Sequence, residues 1–144
     1  MTRHFARVSL LLALSILLQM PAAAETPSAE QARGMRAVVE AQLAAFADDD
    51  AERAFSYAAP AIREMFGTPE RFLSMVRAGY AVVYRPTAVT FLAPHRLEGQ
   101  WIQGVHMTDA AGVLWLAVYR LEQLPDRSWR ISGCDVRPAS GKMA

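Results

Sequence analysis

Near Tyr80 the spacing of the apolar residues changes, and this constrains the fold more than any other feature of the sequence. Upstream, Met35, Val39, Leu43 and Phe46 recur at steps of four, four and three, the stripe of an amphipathic helix. Downstream, β-branched and aromatic residues crowd into short runs: Thr87 to Ala93, Gln100 to Met107, Val113 to Leu124 and Ser128 to Val136. Turn material separates them, at Leu97-Glu98-Gly99, Thr108-Asp109-Ala110-Ala111-Gly112 and Pro125-Asp126-Arg127, and links this short favour antiparallel neighbours. The expectation is an α+β domain, with N-terminal helices packed on one face of a curved four-stranded antiparallel sheet.

The helices carry their own punctuation. Ser28-Ala29-Glu30-Gln31 reads as a capping box. Asp48-Asp49-Asp50 ends one helix and starts another, with Asp49-x-x-Glu52 as a second box. A calcium loop would instead need alternating oxygen ligands and a glycine. Pro60 suits a first helical position and Gly67 a C-terminal cap, after which Thr68-Pro69 restarts a helix that Gly79 closes. Phe55, Ile62, Phe66, Phe72, Met75 and Val76 fall at helical spacing, which assigns them to the core.

The third strand is apolar on both faces. Val113, Trp115, Ala117, Tyr119 and Leu121 lie on one side, Leu114, Leu116 and Val118 on the other. The second face is expected to be covered or used for association, and Leu114, Leu116, Val118 and Ile102 point to a homodimer.

The first residues read as an address. Arg3, His4 and Arg7 precede an apolar run from Val8 to Met20, then Pro21 and the small residues Ala22-Ala23-Ala24. The run is shorter than the roughly 20 residues that span a bilayer, so no stable membrane anchor is expected. The reading is a signal peptide over 1–24, a single domain over 25–137 and a disordered tail over 138–144, in a periplasmic or secreted protein. Without Arg3 and Arg7 the basic residues fall two short of the full count of 15, against 14 acidic ones, and only Lys142 remains among the lysines. No basic stripe exists for nucleic acid. Cys134 is the single cysteine, so packing rather than an internal disulfide must hold the fold; Cys134 reads as a small core residue, with a reactive thiol or an intermolecular bridge as the alternatives.

Two stretches resemble a known family. "QLAAFADDDAERAFSYAAPAIREMFGTPERFLSMVRAGYAVVYRP" and "DAAGVLWLAVYRLEQLPDRSWRISGC" resemble the short exported bacterial proteins of domain-of-unknown-function family 4864, over about Val38 to Cys134. "FGTPERFLSMVRAGY" and "YRLEQLPDRSWRISG" are the most specific parts. The order of elements is also similar to the NTF2-like superfamily, which implies a cone-shaped sheet with a pocket. The family has no assigned activity, so the resemblance transfers no catalytic residue. One departure is Asp126-Arg127 where such a hairpin commonly carries Asp-Gly; either Arg127 takes a positive φ or the turn differs.

The chemistry-bearing residues are few. Beyond the leader only His95, in a turn expected to be solvated, and His106, in a strand, remain. Zinc needs three or four converging ligands, and no Cys pair or H-E-x-x-H motif provides them. G-x-S-x-G and G-x-G-x-x-G are absent, so no metal or nucleotide cofactor is expected. The reading is a non-catalytic domain whose pocket mouth binds a small apolar or anionic ligand, or a peptide, through Tyr80, Tyr84, Arg85, Trp115 and Tyr119. The alternative is a small isomerase, dehydratase or hydrolase drawing on Tyr80, Tyr84, Tyr119, His106 and Asp135.

Overall fold

Helix starts fall where the capping residues stand. In the computed structural model, which describes residues 25–139, Ser28 Oγ accepts from Gln31 N at 3.1 Å and Gln31 Oε1 from Ser28 N at 2.9 Å. This reciprocal box opens α1 (Ala29–Ala47), which buries Met35, Val38, Val39 and Phe46. Residues 1–24, read as the leader, and the tail from 140 onward lie outside the described residues. The second cap differs from expectation by one residue. Asp50, not Asp49, caps α2 (Ala51–Ser56), accepting from Arg53 N at 3.0 Å. Asp49 takes a left-handed φ of 52° at the corner, and its carboxylate is free for other partners. Pro60 opens α3 (Pro60–Phe66), and Gly67, at φ 76°, ends it as expected. Thr68 caps α4 (Pro69–Gly79), which buries Phe72, Leu73 and Val76, and α5 (Ala81–Tyr84) follows directly. Among the described residues, no helix is long and apolar enough to cross a membrane.

The sheet has five strands, not four: β1 (Ala88–Phe91), β2 (His95–Leu97), β3 (Gln100–Thr108), β4 (Leu114–Gln123) and β5 (Trp129–Pro138). Neighbours are antiparallel in the order β1-β3-β4-β5, and β2 shares the outer edge of β3 with β1. The extra strand continues the first past an interruption. Pro94 has no N–H to give a ladder, so the chain leaves β3 after Leu92 and returns at His95. His95 therefore sits half-buried in a strand opposite Ile102 rather than in a solvated turn. Gln103 bridges the gap: its buried Nε2 donates to Leu92 O at 2.7 Å and Gly104 O at 2.9 Å. The β2–β3 turn has Glu98 and Gly99 at φ 51° and 77°, the mirror-image turn that two-residue hairpins prefer. Arg127 takes φ 71°, the strained branch of the two alternatives its sequence leaves open.

The core lies between helices and sheet. β3 contributes Val105 and Met107, β4 Ala117, Tyr119 and Leu121, and β5 Trp129 and Ile131. Trp129 packs directly on the backbone of α1, where a Cβ at Gly34 would stand 2.5 Å from the indole nitrogen. β5 then changes register: Leu121 opposes Ile131, but Arg120 opposes Gly133, so Ser132 is the extra residue of a bulge. The bulge reverses the alternation, and Cys134 and Val136 face the core although an unbroken strand would turn them out. The other sheet face carries Leu92, Ile102, Leu114, Leu116 and Val118; Leu114 is 43% exposed.

Candidate functional site

A cavity lies between α3, α4 and the free side of β5. α3 is the reason. It spans seven residues, buries none of them, and is held by its ends rather than its body. At its start Ala59 N donates to Ile131 O at 2.8 Å, and Ile131 N donates to Tyr57 O at 2.9 Å, so the chain rides on the edge of β5. Beyond Ile131 helix and strand part, leaving a half-open cleft of about 270 Å³. Ile62, Met65 and Phe66 of α3 and Phe72, Met75 and Val76 of α4 supply the apolar wall. The aromatic and Met-rich stretch assigned to the core is therefore divided. Phe55 is 6% exposed, packs on Phe72 at 5.5 Å between ring centroids and fills the core. The remaining side chains meet an open space on one side.

The polar part of the wall comes from the sheet and α1. Tyr119 and Cys134 are cross-strand partners, so the phenol and the thiol stand side by side. Tyr119 is 1% exposed, and its hydroxyl, shut off from the open space, has the Cys134 thiol as its polar neighbour and no partner in good hydrogen-bond geometry. Burial first, and the neighbouring Cys134 second, push the phenol well above its ordinary pKa. Burial, reinforced by Asp135, raises the Cys134 thiol to about 12. Both groups are therefore protonated at neutral pH, and the thiol is a poor nucleophile. Gln42 reaches the same cavity from α1, its Nε2 engaged by Ala54 O at 3.1 Å. At the rim, Arg120 pairs with Asp135, whose side chain is 64% exposed, and Tyr80 stands half-buried.

Of the residues singled out in the sequence as ligand-facing, Tyr80 and Tyr119 line this cavity; Tyr84, Arg85 and Trp115 stand elsewhere. Tyr84 and Arg85 belong to a surface cluster around Asp49. Arg77 Nη2 and Arg85 Nη2 pair with its two carboxylate oxygens at 3.0 and 3.1 Å, and the Tyr84 hydroxyl donates to Oδ1. Arg85 also donates to Phe46 O near the C-terminal end of α1, and its guanidinium lies 4.1 Å over the Tyr84 ring. The Tyr84 and Arg77 hydrogen bonds, with the charge of Arg85, hold the Asp49 carboxyl below its ordinary value. Trp115 donates from Nε1 to Asp109 Oδ2 at 2.9 Å, tying down the β3–β4 turn. The same bond, with the amides of Val113 and Ala111, lowers the Asp109 pKa. His106 opposes Leu116 on the outer sheet face, so of the alternative catalytic set only Tyr80, Tyr119 and Asp135 reach the cavity. Among the described residues, no group of three or more His, Cys, Asp or Glu side chains is placed to hold a metal ion.

Sequence reasoning missed Gln42 and the pairing of Cys134 with Tyr119. A signal for the second exists in Ser132-Gly133, because a glycine inside a strand pattern marks a bulge. Nothing local marks Gln42, which reads as one more polar residue on α1. A family model described as "Domain of unknown function (DUF4864)" matches residues 28–144. No match is found among curated proteins or among solved structures.

Proposed function

We propose, for a chain that belongs to the DUF4864 family and so takes no activity from its relatives, that it binds a small, largely apolar molecule without transforming it. The observation that supports this reading is the cavity of about 270 Å³ between α3, α4 and β5, apolar on the helix side and carrying a few polar groups on the sheet side. A cavity of about 150 Å³ holds benzene, so this space suits a ring with a short chain or a bicyclic skeleton. Catalysis finds little to use there. The thiol is neutral, and Asp135, the carboxylate at the rim, is held by Arg120. The succession of helices and sheet fits an NTF2-like cone, in which such a pocket would be the cone's interior.

Native mass spectrometry of the chain purified from its own cells tests the reading. A co-purifying small molecule that Met75→Trp displaces, with the fold intact, is the expected result. A wild-type protein that carries nothing, and whose melting temperature no apolar probe raises, overturns it.

Two further parts of the proposal concern where the protein works. The chain is exported and loses residues 1–24, so N-terminal sequencing of the secreted material should read Glu-Thr-Pro-Ser. Two copies associate through the outer sheet face, where Leu116→Glu should give a folded monomer; a wild type that is monomeric at high concentration sinks this.

A further inference from the structure

The cleft opens onto a sheet edge whose backbone groups are unpaired. Ala139 N donates to Leu114 O at 3.1 Å, one step beyond the pair Trp115 and Pro138. Bonded positions alternate along an antiparallel pair, so Gly133, Asp135 and Arg137 turn their backbone groups towards β4. Cys134 and Val136 turn theirs away, and Pro138 takes the next outward place, where a missing N–H breaks no ladder. Among the described residues, nothing bonds the outward N–H and C=O groups of Cys134 and Val136. Both residues are half-buried, not sealed. The chain itself uses this edge once. Ile131 exchanges bonds with Tyr57 and Ala59, and Pro60 then carries the chain away into α3. The cleft begins where that pairing stops.

Resting on the reading that this cleft takes an apolar molecule, we infer that the molecule is a short extended peptide that adds a strand to the free edge of β5. It pairs with the backbone of Cys134 and Val136 and sets one large apolar side chain between α3 and α4. An extended backbone repeats its donor and acceptor every two residues, the spacing from Cys134 to Val136. Both of those side chains point to the core side of the sheet, so the peptide residue opposite Cys134 points there too. The space it enters is walled by Ile62, Phe66 and Met75. A plain hydrocarbon would fill the cleft and leave the edge to water. Charge narrows the peptide's sequence. Arg120 lies over Gly133, where a Cβ would collide with its guanidinium, and Arg137 is exposed with no ion-pair partner among the described residues. Across 114–120 and 133–138, Asp135 is the single carboxylate against these two cations. The edge is net positive, which favours acidic residues beside the apolar one.

Titration of acetyl-Ala-Glu-Phe-Glu-Ala-amide into the full chain, with backbone amide exchange followed by NMR, tests this. At saturation the peptide should slow exchange of the Cys134 and Val136 N–H groups about tenfold or more, a readout that needs no variant to fold. n-Propylbenzene in the same cleft should leave both unchanged. Methylating the peptide's amide nitrogens one at a time should weaken binding at every second position and spare those between. Each lost hydrogen bond should cost roughly three- to tenfold in affinity. The peptide with lysine in place of both glutamates should bind more weakly. A peptide that binds without slowing the two amides, a methylation series without alternation, or a lysine peptide that binds as tightly would each overturn the inference. So would slowing that survives Met75→Trp, since the apolar side chain would then lie outside the cleft. A peptide that fails to bind overturns it as well, and n-propylbenzene binding that Met75→Trp abolishes then leaves the cavity reading standing. If neither binds, both fall.

Discussion

Around Asp49, two guanidinium groups and a phenol converge on one carboxylate at the surface; around Tyr119, a phenol and a thiol share a cavity wall with no charge between them. Both regions contain a tyrosine on the helix–sheet boundary, yet their hydrogen bonding is opposite. Tyr84 donates to Asp49 and accepts from Arg77 Nε at 3.1 Å, so its hydroxyl is fully used. Tyr119 has only the Cys134 thiol beside it and no partner in good hydrogen-bond geometry. A cluster that satisfies itself gains little from a ligand, because any incoming group must first break a bond that already exists. A buried group left unsatisfied gains that bond only where a ligand can reach it, and the Tyr119 hydroxyl is shut off from open space.

The largest expected difference between the two regions is in packing. Tyr119→Ala removes a fully buried ring and should cost about 3–5 kcal/mol in urea denaturation. Tyr84→Ala, at the half-buried cluster, should cost no more than about 1.5 kcal/mol. Equal losses would show that the Asp49 cluster carries the fold as heavily as the cavity wall does.

The thiol gives the next effect. With its pKa near 12, Cys134 should react with iodoacetamide at pH 8 about 50-fold more slowly than in the unfolded chain. That figure sets a thousandfold smaller thiolate fraction, on the order of three pH units, against the greater nucleophilicity of a more basic thiolate. Labelling at the unfolded rate would mean that the cavity wall opens readily at β5. The sign for stability is also defined. A thiol pKa raised on folding lowers stability as pH climbs above 9.0, the ordinary value, towards 12, and Cys134→Ala should remove that slope.

Removing only the hydroxyls should reverse the usual expectation. Tyr119→Phe deletes an unsatisfied group and should leave stability unchanged or raise it by up to about 1 kcal/mol, whereas Tyr84→Phe should lower it by about 1 kcal/mol. A loss on Tyr119→Phe that matches the loss on Tyr84→Phe would erase the contrast between the two phenols.

The smallest effect is the acid response of the surface cluster. The folded pKa of Asp49 is depressed, so its contribution is fully present above the ordinary value of 3.8 and is lost as pH falls through the folded value below it. Asp49→Asn, which tolerates the left-handed φ of 52°, should flatten the fall in melting temperature between pH 4 and lower pH. An unchanged acid profile would mean that the guanidinium groups find other partners when the carboxylate is gone.

What the sequence by itself determined is local. The Ser28–Gln31 box, Pro60 and Gly67 at the two ends of α3 and the Thr68 cap each involve residues within one turn of chain, whereas the left-handed turn at Arg127 is one of two alternatives the sequence leaves open. The switch of apolar period at Tyr80, which dictates helices before sheet, is local too. Tertiary structure decided the rest, because it depends on which distant groups meet. Asp48, Asp49 and Asp50 are alike as residues, and only the placement of α4 and α5 makes Asp49 the hub while Asp50 caps a helix. Pro94 signals a break, but only the long β3 gives the chain an edge to rejoin, which made the fifth strand. The parity of β5 turns on one extra residue at Ser132, and that residue aims Cys134 at Tyr119. Above all, an unpaired hydroxyl cannot be read from a sequence, since a bond that is missing has no pattern; it exists only once every neighbour has been placed.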